Sequence, residues 1–150
     1  MKRNTWIELV AGLLLGFAPM LAAQSSKVVM GVPTTTSVSG TVTVSIPFAF
    51  SLDGKTFAAG THSMVPLTDK TVAIRDSEGK HSIVVLTNAV STGTEISGPK
   101  LVFHRYGDQS FLTQAWLRQS DTGREFAVSP DEIRMAREYS QQQVILVAKK

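Results

Sequence analysis

The stretch KLVFHRYGDQSFLTQAW, Lys100–Trp116, decides the fold. It holds one of the chain's three histidines, an arginine, an aspartate and four aromatics, a mixture that suits either an active site or two strands joined by a turn. Successive side chains of a strand point to opposite faces, so His104 and Arg105 cannot aim at one substrate unless a bulge rotates one of them. With Gly107 and Asp108 as a two-residue loop, His104 lies opposite Phe111 and Phe103 opposite Leu112; a three-residue loop moves each partner by one. In either register His104 meets an apolar neighbour, as expected at the margin of a core. Asp108 falls at the turn, where a carboxylate bonds nearby backbone amides. Phe103, Tyr106, Phe111 and Trp116 supply packing area, and Tyr106 and Trp116 need polar partners if buried.

The same period recurs on both sides of this hairpin. Val38, Gly40, Val42, Val44, Ile46, Phe48 and Phe50 share one parity, against Ser39, Thr41, Thr43 and Ser45 on the other, the signature of a half-buried strand. Pro47 lacks a donor and marks a break or an edge, and Asp53-Gly54 predicts a tight hairpin from Phe50 to Phe57. Further strands are expected at Thr61–Leu67, Thr71–Arg75, His81–Thr87 and Arg124–Val128, with turns at Asp76–Lys80 and Asp121–Gly123. One helix start stands out. Ser129 at the N-cap, Pro130 at the first helical position and Glu132 three residues after the cap form a capping box, and Ile133, Ala136 and the Arg137 stem are expected to face the sheet. Val144–Val147 is apolar on both parities, as in a covered strand. The expected fold is all-β and mainly antiparallel: a single-domain β-sandwich or small barrel over 40–150, with one short helix at about 130–139 and a closing strand at about 143–148. An outer-membrane barrel fits poorly, because its strands run about 9–11 residues and alternate throughout.

Residues 1–23 stand apart. Lys2 and Arg3, the apolar run Leu9–Leu21 and the small Ala22-Ala23 make a secretory signal, with cleavage expected after Ala23. The run is shorter than the roughly 20 residues a membrane-spanning helix needs. An exported chain follows, periplasmic or extracellular, with no stable membrane span after signal removal. Residues 24–39, rich in Ser and Thr, are expected to be a loose lead-in. Without Lys2, Arg3 and Glu8 the 15 basic and 12 acidic residues become 13 and 11, a net of +2. That scattered charge lacks the basic footprint of a nucleic-acid binder. The chain has no cysteine, so burial and backbone pairing must supply its stability without disulfides.

Chemistry has few places to gather. A His104–Asp108–Ser110 triad would need three residues around one turn to converge, and no Gly-x-Ser-x-Gly elbow occurs. His62, His81 and His104 are spaced about twenty residues apart without any short metal-binding pair, so no metal or other cofactor is expected. Arg124-Glu125 reads as a solvated ion pair worth under about 1 kcal/mol. The residues that remain as binding candidates are Phe103, His104, Arg105, Tyr106 and Trp116.

Taken together, IPFAFS (Ile46–Ser51), GKT (Gly54–Thr56), AGT (Ala59–Thr61), VLTN (Val85–Asn88), PKLVFHRYGD (Pro99–Asp108), Phe111-Leu112 and TGRE (Thr122–Glu125) resemble a family of small exported bacterial proteins of uncharacterised activity. The resemblance implies export and a β-rich fold, and it carries over no functional residue. In that pattern an aromatic is expected where His62 stands. The expected function is a non-enzymatic β domain that binds or scaffolds in the cell envelope or outside the cell. The alternatives are a carrier of a small apolar ligand, marked by a cavity lined by Phe48, Phe50, Phe103 and Trp116, and a hydrolase built on His104.

Overall fold

The computed structural model describes residues 26–36 and 40–148, and the side chains of Thr35 and Thr36 are not among them. Residues 1–23, where a signal segment is expected, lie outside the described residues, as do 24–25 and 37–39 of the lead-in and Lys149-Lys150.

The lead-in is where the structure departs first from expectation. Its described part forms two strands, β1 (Ser26–Val32) and β2 (Thr34–Thr36), in place of a loose segment. β1 is held by β12 at the other end of the described residues and β2 by the nearby β3, and a reading of Ser and Thr content alone does not register either pairing. β3 (Val42–Ile46) buries Val42, Val44 and Ile46 and turns Thr43 and Ser45 outward. Past Pro47 the chain re-enters as β4 (Phe50–Leu52) and reverses into β5 (Lys55–Phe57). Asp53 and Gly54 have φ of 50° and 75°, the pair of positive values that a two-residue type I′ turn demands. β6 (Gly60–Thr68), β7 (Thr71–Asp76) and β8 (Ser82–Ser91) follow as antiparallel neighbours.

The hairpin read from the sequence is β9 (Lys100–Tyr106) and β10 (Gln109–Trp116), joined by Gly107-Asp108. His104 is opposite Phe111 and Phe103 opposite Leu112, the register of the two-residue loop. A bulge between Leu112 and Gln114 then shifts the pairing. β11 (Thr122–Phe126) begins earlier than expected, and Thr122 and Gly123 belong to the strand and not to a turn. The reason is Trp116, whose ring lies so close over Gly123 that an added Cβ would sit 2.5 Å from it. The chain closes with α1 (Pro130–Glu138) and β12 (Gln141–Ala148).

The strands form one nearly closed barrel in the order β1-β12-β9-β10-β11-β8-β7-β6-β3-β2, with the β4–β5 hairpin branching from β10. β1–β12 and β4–β10 are parallel, and every other pairing among the described residues is antiparallel. β8 turns the corner by pairing with β7 through Ser82–Leu86 and with β11 through Thr87–Ser91. At the seam, Ser45 N–H donates to Pro33 O at 3.2 Å, where the chain passes from the side of β12 to that of β3. The interior holds Ile46, Met64, Ile74, Phe103 and Leu146, all below 2% exposed, with Phe50 and Phe57 plugging one end.

A smaller cluster on the outer face joins Tyr106 and Phe111 to Met135 of α1. The face that α1 presents is therefore Glu132 and Met135, not Ile133, Ala136 and Arg137, which are exposed. Only half of the capping box forms as expected. Ser129 Oγ accepts from Glu132 N–H at 3.1 Å, but the Glu132 carboxylate turns inward to the sheet, where it accepts from His104.

Candidate functional site

β9 and β10 distribute the hairpin's polar groups over two faces. On the outer face, His104 Nδ1–H donates to Glu132 Oε1 at 2.9 Å, and the Tyr106 hydroxyl donates to Gln141 Oε1 at 3.2 Å and lies 3.5 Å from Glu132 Oε1. Glu132 is 4% exposed. Burial, and then the neighbouring Glu132 carboxylate, hold the Tyr106 hydroxyl above its ordinary pKa. This network pins α1 to the barrel. On the opposite face, Arg105 Nε–H donates to the buried Ser110 Oγ at 3.0 Å, and its guanidinium lies 4.6 Å from the centre of the Phe48 ring. Asp108 is exposed in the turn. His104, Asp108 and Ser110 thus do not meet.

The other expected binding residues also separate. Phe103 is in the interior, edge-on to Phe48 and Phe50 at 5.1 and 5.6 Å. Trp116 packs on the outer side with Val102 and Ile145, and Lys100 Nζ sits 3.9 Å from the centre of its ring. Burial, with some repulsion from Lys27, holds the Lys100 ammonium below its ordinary pKa. Phe48, Phe50, Phe103 and Trp116 therefore do not surround one cavity, because three of them fill the interior against one another and the fourth is outside it.

A more chemically distinctive arrangement lies at the plugged end, where the β4–β5 hairpin, the start of β6 and the β7–β8 turn enclose an open cleft of about 600 Å³. His62, 2% exposed, projects from β6 beside the stacked rings of Phe50 and Phe57, which lie edge-on to it at 5.2 and 5.7 Å. Its Nε2 is 2.9 Å from Ala58 O. A carbonyl only accepts, so Nε2 carries the hydrogen and Nδ1 of the neutral ring is an acceptor. Directly across the ladder from His62 stands Asp76. Its Oδ2 accepts from His81 N–H at 3.1 Å and from His81 Nδ1–H at 2.9 Å. These bonds, the side-chain one first, hold the Asp76 carboxyl below its ordinary range against the opposing effect of burial.

Two atoms here are left over. His62 Nδ1 and Asp76 Oδ1 are both buried, and neither has a hydrogen-bond partner among the described residues. Both residues line the cleft, together with Phe57, Ala58, Ser77, Glu78, Lys80 and His81. Nearly every buried polar group in a folded protein is paired, so two orphans on adjacent strands mark this place. The sequence held one usable signal. His62 shares the parity of Met64 in β6, which places an imidazole on the core side of a strand, and Asp76 opens the turn that faces it. Among the described residues no three His, Asp or Glu side chains are arranged to hold a metal ion. No helix among them is long and apolar enough to cross a membrane. The chain matches no protein-family profile, no curated protein and no solved structure.

Proposed function

We propose that this chain is an exported, non-enzymatic binding domain of the cell envelope or the extracellular space, and that its ligand site is the cleft of His62 and Asp76. The observation that carries the reading is the pair of buried, unpartnered acceptors lining one open cleft. Such sites are typically concave, mostly apolar and furnished with a few placed polar groups, and Phe57, Ala58 and Ala59 beside His62 and Asp76 fit that description. Export is supported by the three-part pattern of residues 1–23,. A carrier with an apolar interior draws less support, since Phe48, Phe50 and Phe103 pack against one another there. A hydrolase built on His104 draws less too, since that imidazole is engaged by Glu132 while Ser110 bonds Arg105 on the other face.

The test is native mass spectrometry of protein recovered from the exported fraction of its own host. The expected result is a chain beginning at Gln24, with a small retained mass that is lost in the Asp76→Asn variant. A chain that keeps residues 1–23, or a retained mass indifferent to both His62→Gln and Asp76→Asn, would overturn the reading.

A further inference from the structure

The leftover atoms at the cleft are of one kind. Nε2 of His62 is committed as a donor to Ala58 O, which in the neutral imidazole leaves Nδ1 with a lone pair and no hydrogen. Asp76 Oδ2 has taken both N–H groups that His81 offers, which leaves Oδ1 with lone pairs and no donor. The cleft thus asks for hydrogens, not for acceptors. Residues directly opposite on antiparallel strands have Cβ atoms about 4.5–5.5 Å apart, so the His62 and Asp76 side chains stand side by side on one face of the sheet. A single hydroxyl has one hydrogen to give and serves only one of the two acceptors, whereas a primary ammonium has three.

Charge points the same way. With histidines counted neutral, the lining carries Asp76 and Glu78 against Lys80, a net of −1. Lys80 is occupied with Glu78 at 2.6 Å, so the carboxylate without a full cation partner is Asp76. Hydrogen bonds between ionised partners are about twice as strong as neutral ones, and a buried carboxylate oxygen gains most from such a donor.

We propose that the cleft binds a small molecule through a primary ammonium group, held between His62 Nδ1 and Asp76 Oδ1, with a short alkyl chain lying along Phe57, Ala58 and Ala59. This rests on the reading of the cleft as the binding site and names the class of its ligand.

The experiment is NMR titration of the chain lacking residues 1–23, following the His62 ring nitrogens and the Asp76 amide. Four probes at constant ionic strength separate the requirements: n-butylammonium chloride has charge and donors, tetramethylammonium chloride has charge without donors, 1-butanol has one donor without charge, and cis-1,2-cyclohexanediol has two donors without charge. The n-butylammonium ion is expected to shift both reporters saturably, with a Kd at least about tenfold below the other three. Asp76→Asn should raise that Kd by about tenfold or more. His62→Gln keeps a side-chain N–H for Ala58 O but offers nothing in place of Nδ1, and should weaken binding severalfold. Each variant's amide spectrum reports whether it is folded. A blocked lysine amide identifies the source of the group: tighter binding than n-butylammonium assigns it to a polypeptide side chain, and equal or weaker binding to a free amine. If the diol moves the same reporters with equal or greater affinity, the ammonium assignment falls while the cleft stands as the site. If no probe moves either reporter, both fall.

Discussion

Replacing Gly123 with alanine is the sharpest test of the packing described above. The added carbon would stand 2.5, 2.6 and 2.8 Å from Cε2, Cδ2 and Nε1 of Trp116, where carbon atoms in contact prefer about 3.5–4.0 Å. Roughly 1 Å must therefore open between them, and neither side is free to retreat. Gly123 is held in register with Val90 of β8. The Trp116 ring is 2% exposed and wedged with Val102 and Ile145. Overpacking of this kind costs about 1–3 kcal/mol, and the reduced freedom of the unfolded chain returns about 0.4–1 kcal/mol. At the middle of both ranges the net is a loss of about 1.3 kcal/mol, which for a domain of this size lowers the melting temperature by roughly 3–8 °C. Thermal unfolding followed by circular dichroism measures it. Trp116 is one of two tryptophans, and the other is Trp6, so near-ultraviolet spectra of a chain lacking residues 1–23 report directly on the displaced ring. In a Trp116→Leu background the same Gly123→Ala change should cost almost nothing, because the obstructing ring is gone. A melting temperature within about a degree of the parent, far less than the loss expected from overpacking, with an unaltered tryptophan spectrum, would refute the argument.

Glu132→Ala removes the acceptor for His104 Nδ1–H and leaves that group under the helix without a partner, while the Tyr106 hydroxyl keeps Gln141. It should cost about 2–3 kcal/mol in urea unfolding, against roughly half that for Glu132→Gln, which keeps a carbonyl. Tyr106 gives a signed pH effect. Its folded pKa is raised above 10.0 by burial and then by Glu132, so beyond that pH the unfolded chain releases a proton that the folded chain keeps, and stability falls. Tyr106→Phe should flatten that alkaline decline in the urea midpoint. Asp76 works at the other extreme. Its folded pKa is depressed below 3.8, chiefly by the His81 side chain, so its contribution is present above that value and fades as pH falls below it. Acid titration of Asp76→Asn should show a shallower loss in that window, and an identical acid limb would count against the His81 contact.

What the sequence disclosed was what neighbours along the chain determine. The register of β9 and β10 followed from a two-residue loop, and the Asp53-Gly54 turn from two residues that tolerate positive φ. The helix start was legible in Ser129 and Pro130, but the fate of Glu132 was not, because its partners His104 and Tyr106 lie 28 and 26 positions away. Gly123 read as a turn because glycine usually marks one, and only the ring of Trp116 explains its place in a strand. The candidate site was hidden for a related reason. His62 and Asp76 meet only through the β6–β7 register, which a bulge between Pro66 and Thr68 displaces by one residue. His62 shares the parity of Met64, but its place beside the stacked rings of Phe50 and Phe57 depends on the distant β4–β5 hairpin.

The parallel pairing of β1 with β12 also governs the order in which the molecule can be assembled. Ser26 is matched with Gln142, so the first described strand must wait for the last before it finds its place. Contacts this distant in the chain form slowly. The meander from β6 to β8 can pair as it leaves the ribosome, but the barrel stays open along one side until β12 has been made. On the proposed route of export that delay is useful: a chain unable to close is still a chain that can be threaded, and the final strand completes the barrel only where both ends are together.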